Sequence, residues 1–459
     1  MNNVFRMGSV AGFSGDRVDG PLPVVETLIK TGGPSALMFE VIGERTLALA
    51  QLERRKNPEK GYEPALEELI EPILAQCVQH KIPIVGNFGQ ANPMGAAKCI
   101  ARVAQKLGLA GVKIGVVTGD DVAGLDLSAF EVTDSDSSLE VDQSKQITAN
   151  VYLGAACIVD ALAQGAEVVV TGRVADPALA LGPLIHHFGW KMDDWEKMGV
   201  CTLVGHLLEC GTHITGGYFC DPGFKDVSGL DNTGFPIAEV FPDGNIIITK
   251  ADNTGGIVNA RTVKEQMLYE IHDPANYLTP DVVLDVTSVT VHEAGTNRVR
   301  VTGARGKPRP TMLKASVSFE AGYMGEGEIS YAGPNAMARA TLAGEILLKR
   351  LERRNLKVTK KRVDLIGVSS VHDSDGSTLR SAMPYVEHPD IRVRLAVMAD
   401  DRETADKASR EVLAMLNNGP AGGGGARWNV TAKIKTVSYL IPREKVSAQM
   451  SMYISEELV

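Results

Sequence analysis

The chain reads as an α/β protein: a largely parallel sheet with flanking helices in an N-terminal domain, followed by an α+β C-terminal domain. Three observations predict this. Short apolar runs alternate with amphipathic ones through the first half, the pattern of βα units. Most of those runs end in turns of Gly, Asn, Asp, Ser or Thr, and open α/β sheets gather their ligands outside the carboxyl ends of their strands. Past about residue 245 the texture becomes β-rich with Gly and Pro turns, and 459 residues are too many for one ordinary core.

Taken in order, the expected strands of the first half are Val4–Val10, Ala36–Val41, Ile82–Gly86, Lys113–Val117 and Glu167–Val170. Between them helical periodicity covers Pro21–Lys30, Ala65–His80, Met94–Leu107 and a long stretch across Gln146–Gly165. Every strand but the second ends in a turn rich in small polar residues. In the second half Asn245–Lys250, Val282–Val291, Arg298–Thr302 and Leu313–Phe319 read as strands. A helix is expected over Asn335–Arg353, strands over Val363–Val368 and Ile391–Met398, a helix over Arg402–Asn417, and a closing strand over Lys433–Leu440. The division falls between roughly 240 and 260, giving domains 1–245 and 246–459. No internal repeat is evident, and Thr133–Ser138 reads as a disordered insert.

Composition narrows the function classes. A formal charge of −9 disfavours nucleic acid, which needs a clustered basic surface. The basic runs Glu53–Lys56 and Lys349–Arg354 are interleaved with acids and read as solvated helix faces. Mean hydropathy is near zero, no apolar stretch approaches the ~18–20 residues of a membrane span, and the first residues lack the features of a signal peptide. Six cysteines (77, 99, 157, 201, 210 and 220) form no C-x-x-C pair. A disulfide framework is not expected, and the reading is a cytoplasmic protein without membrane partner.

Chemistry concentrates in the loops after strands. In Gly12-Phe-Ser-Gly-Asp-Arg17, glycines let backbone amides approach an anion. There Ser14 and Arg17 can bind a carboxylate or phosphate, and Asp16 can act as a base. The loop is neither a dinucleotide fingerprint nor a P-loop, and it can equally be a tight turn with an internal Asp–Arg pair. Asn87 and Asn92 follow the third strand, and Asn92 before Pro93 also fits a helix N-cap. Thr118, Asp120 and Asp121 follow the fourth, where paired carboxylates could hold a metal or a hydroxyl. Thr171, Arg173 and Asp176 converge on the turn after the most convincing strand, more polarity than a connection needs.

His206 and Glu209 are three apart and share a helical face, a spacing for a metal or for a histidine oriented by a carboxylate. They do not form H-E-x-x-H, and His213 lies past the expected break at Gly211, near Cys210 and Cys220. His186 and His187 end a helix, where a cation suits the dipole. His272 precedes a proline and is a candidate for the cleft between domains. Gly216, Gly217 and Tyr218, the Asn335 turn, and Gly422 and Gly423 supply further amide-rich concavities for an anion.

Together, Gly12-Phe-Ser-Gly-Asp-Arg17, Thr171-Gly-Arg-Val-Ala-Asp-Pro177, Gly205-His-Leu-Leu-Glu-Cys-Gly211, Thr215-Gly-Gly-Tyr-Phe219 and Asn418-Gly-Pro-Ala-Gly-Gly-Gly-Gly425 resemble the acyclic terpene utilization family. Val117–Asp121, His272–Pro280 and Gly325–Asn335 match as well, so the resemblance covers nearly the whole chain. The family's namesake belongs to a bacterial citronellol and geraniol catabolic cluster alongside acyl-CoA carboxylases and dehydrogenases. The resemblance therefore implies breakdown of branched or terpenoid acids, and it carries no established catalytic set. Many relatives have a further small C-terminal domain that is not expected here, and His213 stands where a polar non-histidine is usual.

The leading expectation is a catabolic enzyme acting on a small or branched carboxylic acid or its acyl-CoA thioester by lyase, hydratase or hydrolase chemistry. No dinucleotide fingerprint suggests an NAD-dependent oxidoreductase. Coenzyme A would enter as part of the substrate, with no other cofactor and no metal expected. In this reading Asp16, Asp176, His206, Glu209 and His272 supply acid–base chemistry. The other loop residues hold the anionic end, and the protein is a homo-oligomer. Alternatives are a non-catalytic accessory subunit of an acyl-CoA pathway, or a metal-dependent enzyme using Asp120, Asp121, His206 or Glu209.

Overall fold

A computed structural model describes residues 4–133, 142–371 and 390–455. Residues 134–138 of the expected insert lie outside the described residues; Thr133 itself donates its amide to the Ser438 carbonyl at 3.0 Å. The chain divides into two compact units. One takes Met1–Val141, Gln146–Ser318 and Thr436–Val459, and the other takes Asp142–Lys145 and Phe319–Lys435.

The first unit is built on a ten-stranded sheet. In chain order its first strands are β1 (Phe5–Ser9), β2 (Ser35–Phe39), β3 (Ile84–Gly86) and β4 (Lys113–Thr118). Then come the short β5 (Glu131–Val132) and β6 (Gln146–Val151), which lie outside that sheet, and β7 (Val168–Thr171), β8 (Pro236–Val240) and β9 (Ile246–Lys250), which belong to it. Five strands run parallel in the order β1-β2-β3-β7-β4. β2 and β7 are buried at every residue, which is why they read as unbroken apolar runs rather than alternating ones.

Helices α1 (Pro21–Thr31), α2 (Glu44–Lys56), α3 (Leu66–Ile70), α4 (Leu74–His80) and α5 (Pro93–Lys106) lie in the first half. Val24, Leu28, Leu74, Ile100 and Val103 from this set close one core against Leu37, Phe39, Ile84 and Val170 of the sheet. Helices α6 (Ala156–Ala163), α7 (Ala178–Phe188) and α8 (Trp195–Glu209) pack in sequence with one another, and α7 packs on β1, β2 and β3. α9 (Ala260–Leu268) packs on α8. Among the described residues no helix is long and apolar enough to cross a membrane.

The expected α/β class holds as a mixed rather than largely parallel sheet. β8 adds antiparallel to β1, β9 to β8, and Arg298–Thr302 and Thr290–Gly295 follow. A five-residue link joins β8 to β9, long enough for a hairpin but far too short for the helical crossover a parallel neighbour requires. β8 and β9 thus lie side by side across the expected division at 245, and the units do not follow the 1–245 and 246–459 split.

Other elements differ locally. The expected helix across Gln146–Gly165 is β6 followed by α6, because β-branched Ile147, Thr148 and Val151 favour the strand and Gly154 separates the two. Ala65–His80 divides into α3 and α4 around Pro72, whose ring would break a continuous helix. The Leu313–Phe319 strand is the start of a long one, Met312–Ala332. Lys433–Leu440 lies within Gly424–Pro442, and the chain continues to Gln449–Ile454, which pairs antiparallel with β4.

In the second unit Asp390–Ala399 pairs antiparallel with Lys360–Ile366 on one side and with the end of Met312–Ala332 on the other. The helix Ala336–Arg353 packs on Asp390–Ala399, burying Ala340, Ala343 and Leu347 against Val393 and Leu395. The expected helix over 402–417 is two, Arg402–Ser409 and Glu411–Asn418.

Candidate functional site

The carboxyl ends of the parallel strands carry a polar network centred on Arg173. Asp120, just past β4, crowds the backbone after β7: a Cβ at Gly172 would stand 2.6 Å from Asp120 Oδ1. Glycine at 172 lets the Arg173 amide donate to Asp120 Oδ2 at 2.9 Å. The Arg173 side chain is buried; Nη1 donates to the Ile42 carbonyl and Nη2 to Asp176 Oδ1, both at 2.8 Å. Its guanidinium carbon lies 4.0 Å from the Tyr152 ring centroid, a cation–π contact. The Tyr152 hydroxyl in turn donates to Glu44 Oε1 at 2.5 Å. Glu40 accepts from the Ile42 amide at 2.9 Å and from Asn87 Nδ2 at 3.1 Å, while Asn87 Oδ1 takes the Val41 amide at 2.7 Å. Asn87 thereby fixes the turn after β2.

These carboxyls are tuned in opposite directions. For Glu44, burial pushes upward but is outweighed by the Tyr152 hydroxyl and the Arg173 charge, leaving it at about 2. For Asp176, burial prevails over the pull of Arg173 and is reinforced by Glu209, Glu44 and Glu270, placing it at about 7. Asp176 still keeps 31% of its side chain accessible. Glu40 is raised well above its ordinary value by burial and by the Asp176 charge. Arg173 stays charged despite burial because Asp176, Tyr152, Glu40 and Glu44 surround it.

A second pair sits on α8, which Asp194 caps by accepting the Lys197 amide at 3.2 Å. One helical turn places His206 Nδ1 2.8 Å from Glu209 Oε1, while His206 Nε2 lies 3.2 Å from the Met267 carbonyl. A carbonyl only accepts, so both ring nitrogens face acceptors and the geometry suits the imidazolium. Burial disfavours that charge, but Glu209 outweighs it and the His206 pKa is raised. Glu209 is itself raised by burial against the pull of His206, and its Oε2 has no hydrogen-bond partner. Gly205 allows α8 to meet the start of α7: a Cβ there would lie 2.5 Å from Pro177 Cα, immediately after Asp176. The half-buried Tyr277 ring stands 5.3 Å from His206.

The remaining candidates make most of their contacts within or beside their own loops. Asp16 accepts from the Gly12 amide at 2.9 Å and the Arg17 amide at 2.7 Å, closing its own turn. Arg17 Nε lies 3.1 Å from Asp19 Oδ1, so the two side chains do not pair with each other. Ser14 is half-buried in that turn. Asn92 Oδ1 caps α5 through the Gly95 amide at 3.0 Å, and its Nδ2 donates to the Pro58 and Lys60 carbonyls. Thr171 Oγ1 donates to the Gly172 carbonyl at 2.9 Å.

Gly216 and Gly217 make a turn in which the Gly217 amide is taken by the Thr212 carbonyl at 2.8 Å. Tyr218 is 90% exposed and stacks on His213, 5.1 Å between centroids. His272 is exposed. Asn335, Gly422 and Gly423 belong to the second unit, where Arg339 donates to the Ala332, Pro334 and Ala421 carbonyls at 2.6, 2.9 and 2.7 Å. Those loops turn acceptors toward a cation of the chain itself rather than amides toward an anion.

Thr118 and Asp120 line a cleft of about 220 Å³ with Gln51, Arg54, Thr148 and Asn150. Among the described residues no group of three or more His, Cys, Asp or Glu side chains is arranged to hold a metal. All six cysteines are free thiols. Sequence reasoning missed Glu40, Glu44, Tyr152 and Tyr277. Two acidic residues directly after a buried strand were the available signal for the first pair, masked because that strand ends without Gly, Asn, Asp or Ser. Tyr152 lay inside the stretch expected to be helical.

No curated protein matches the chain. A family model described as acyclic terpene utilisation family protein AtuA matches residues 5–452, a span that takes in most of the first unit, all of the second and every loop described above. The chain therefore belongs to the acyclic terpene utilisation family.

Proposed function

We propose that the chain is a catabolic enzyme of acyclic terpene utilisation. It works by lyase, hydratase or hydrolase-type acid–base chemistry on a branched, terpenoid-like carboxylic acid or its acyl-CoA thioester, with Asp176 as proton donor. One observation carries the reading: two carboxyls on the same Arg173–Tyr152 scaffold are tuned to about 7 for Asp176 and about 2 for Glu44. Carboxyls whose environments drive them apart are the mark of an acid and a permanently ionised partner. Asp176 is protonated often enough near neutrality to give up a proton, is partly accessible, and is held in one orientation by Arg173.

Both Arg173 Nη atoms are engaged, and Glu40, Glu44, Glu209 and Glu270 crowd the network. The group that meets Asp176 is then uncharged, a hydroxyl or a double bond, and the carboxylate or thioester end lies away from it. Coenzyme A enters as part of the substrate. Replacing Arg173 is a poor test, since it would strand buried carboxyls without a partner. Asp176→Asn is cleaner. Assayed on a panel of branched hydroxy and unsaturated acids and their CoA thioesters, it lowers kcat by roughly 10²–10⁴-fold with an unchanged circular dichroism spectrum. The wild-type rate is level at acid pH and falls as pH rises through about 7, because the donor must hold its proton. Full turnover by Asp176→Asn would sink the assignment; a panel without activity, together with a stoichiometric co-purifying carboxylase, would favour an accessory subunit.

A further inference from the structure

The cleft beside Asp120 is not used by that chemistry, and its hydrogen bonding is lopsided. Asp120 is 5% exposed. Both donors that reach it, the Arg173 amide and Asn150 Nδ2, land on Oδ2, at 2.9 and 2.8 Å. Among the described residues no other residue donates to Oδ1 and Asp120 makes no ion pair; besides those two donors its carboxylate has only its own backbone amide. Burial raises its pKa to about 6, so it is largely ionised at neutral pH. A buried carboxylate with an oxygen that no other residue reaches and no counter-cation is costly unless something donates to it. Asp120 and the hydroxyl-bearing Thr118 and Thr148 line the same space.

We propose that this cleft is a binding site for a small uncharged molecule bearing hydroxyl groups, one O–H of which donates to Asp120 Oδ1. An anion is disfavoured by the two carboxylates in the lining, Asp120 and Asp121. An ammonium would satisfy Asp120 but can only donate, whereas the Thr118 and Thr148 hydroxyls both donate and accept, which suits a ligand that does the same. Arg54 at the cleft, its guanidinium on the Ala91 carbonyl, offsets one of the two lining carboxylates, Asp120 and Asp121, and so weakens the pull on a cation. A volume of about 220 Å³ is below the usual 300–1,000 Å³ of drug-sized pockets, which limits the ligand to a sugar ring or a short polyol.

The test is direct binding to the full chain by calorimetry or ligand-observed NMR. The probes are D-ribose and propane-1,2-diol as hydroxyl ligands, propionate as the anion and ethylamine as the ammonium. At least one hydroxyl probe binds, and ahead of both charged ones. Asp120→Asn weakens it by about tenfold or more: the amide oxygen must face the two donors now on Oδ2, so the cleft is left with an N–H in place of a charged acceptor. Thr148→Val, near-isosteric and leaving both donors to Asp120 in place, weakens it by roughly two- to tenfold and serves if Asp120→Asn misfolds. Unchanged affinity in a folded variant, preference for propionate or ethylamine, or no binding of either hydroxyl probe overturns the proposal.

Discussion

Tyr152 joins the two ends of the charge contrast at the site. Its ring lies under Arg173 and its hydroxyl holds Glu44. Tyr152→Phe separates these contributions, since the ring stays and only the O–H is lost. A hydrogen bond to a charged group contributes about 1.5–3 kcal/mol when buried. Glu44 keeps 38% of its side chain accessible, so water replaces much of the lost donor, and a cost of about 1 kcal/mol by urea denaturation at pH 7 is expected. The pH dependence follows from the depressed Glu44. Its stabilisation is present above its ordinary value of 4.5 and is lost as pH falls toward about 2. In Tyr152→Phe that acid limb moves to higher pH. Equal acid limbs in the two proteins would show that the hydroxyl does not hold Glu44 ionised. At this scale the sequence was partly legible. Arg173, Asp176, His206 and Glu209 are polar residues at short local spacing, whereas Tyr152 and Glu44 meet across 108 positions.

At the scale of elements, glycines set how closely the helices approach the strand-end loops. Gly205 meets Pro177, and Gly12 meets the backbone of Cys210, where a Cβ would fall 2.5 Å from the carbonyl carbon. Neither obstacle is a flexible side-chain tip, so an added methyl must move backbone. Gly205→Ala and Gly12→Ala should each cost about 1–3 kcal/mol by urea denaturation, and Gly205→Ala should also lower turnover by shifting α8 against Asp176. Gly124, with nothing within 4 Å of its Cβ position, is the control; Gly124→Ala should stay within about 0.5 kcal/mol. A Gly205→Ala protein as stable as wild type would mean that α7 and α8 do not pack this closely. Helices and parallel strands announce themselves in sequence because their periodicity and turn residues are local. The β6 strand did not, since β-branched residues inside a longer apolar stretch fit either period.

The whole molecule is where local signals fail. The first unit resumes at Thr436 after the second is complete, and Gln449–Ile454 returns to pair with β4. No spacing rule foretells a partner more than 300 residues away. The same long-range assembly gives the first unit a set of carboxyls raised by burial. Asp176 is raised to about 7, Asp120 and Asp281 to about 6, and Glu40 well above its ordinary value, with burial the largest cause in each. A carboxyl whose folded pKa exceeds its unfolded one binds more protons when folded. Its contribution is therefore full below about 4 and is lost as pH rises through 6–7. His206, also raised, loses its contribution in the same direction, whereas His187 and His213 are lowered by burial and oppose it from positions that are only partly buried. Trp428 lies in the second unit and the other two tryptophans, Trp190 and Trp195, lie in the first. In Trp428→Phe, tryptophan fluorescence thus follows the first unit alone. Its urea midpoint should fall steadily from pH 5 to pH 7.5 and then level. Asp281→Asn, which removes one raised group, should make that fall shallower. A midpoint that climbs over the same range would mean that these carboxyls ionise as freely in the folded chain as in the unfolded one.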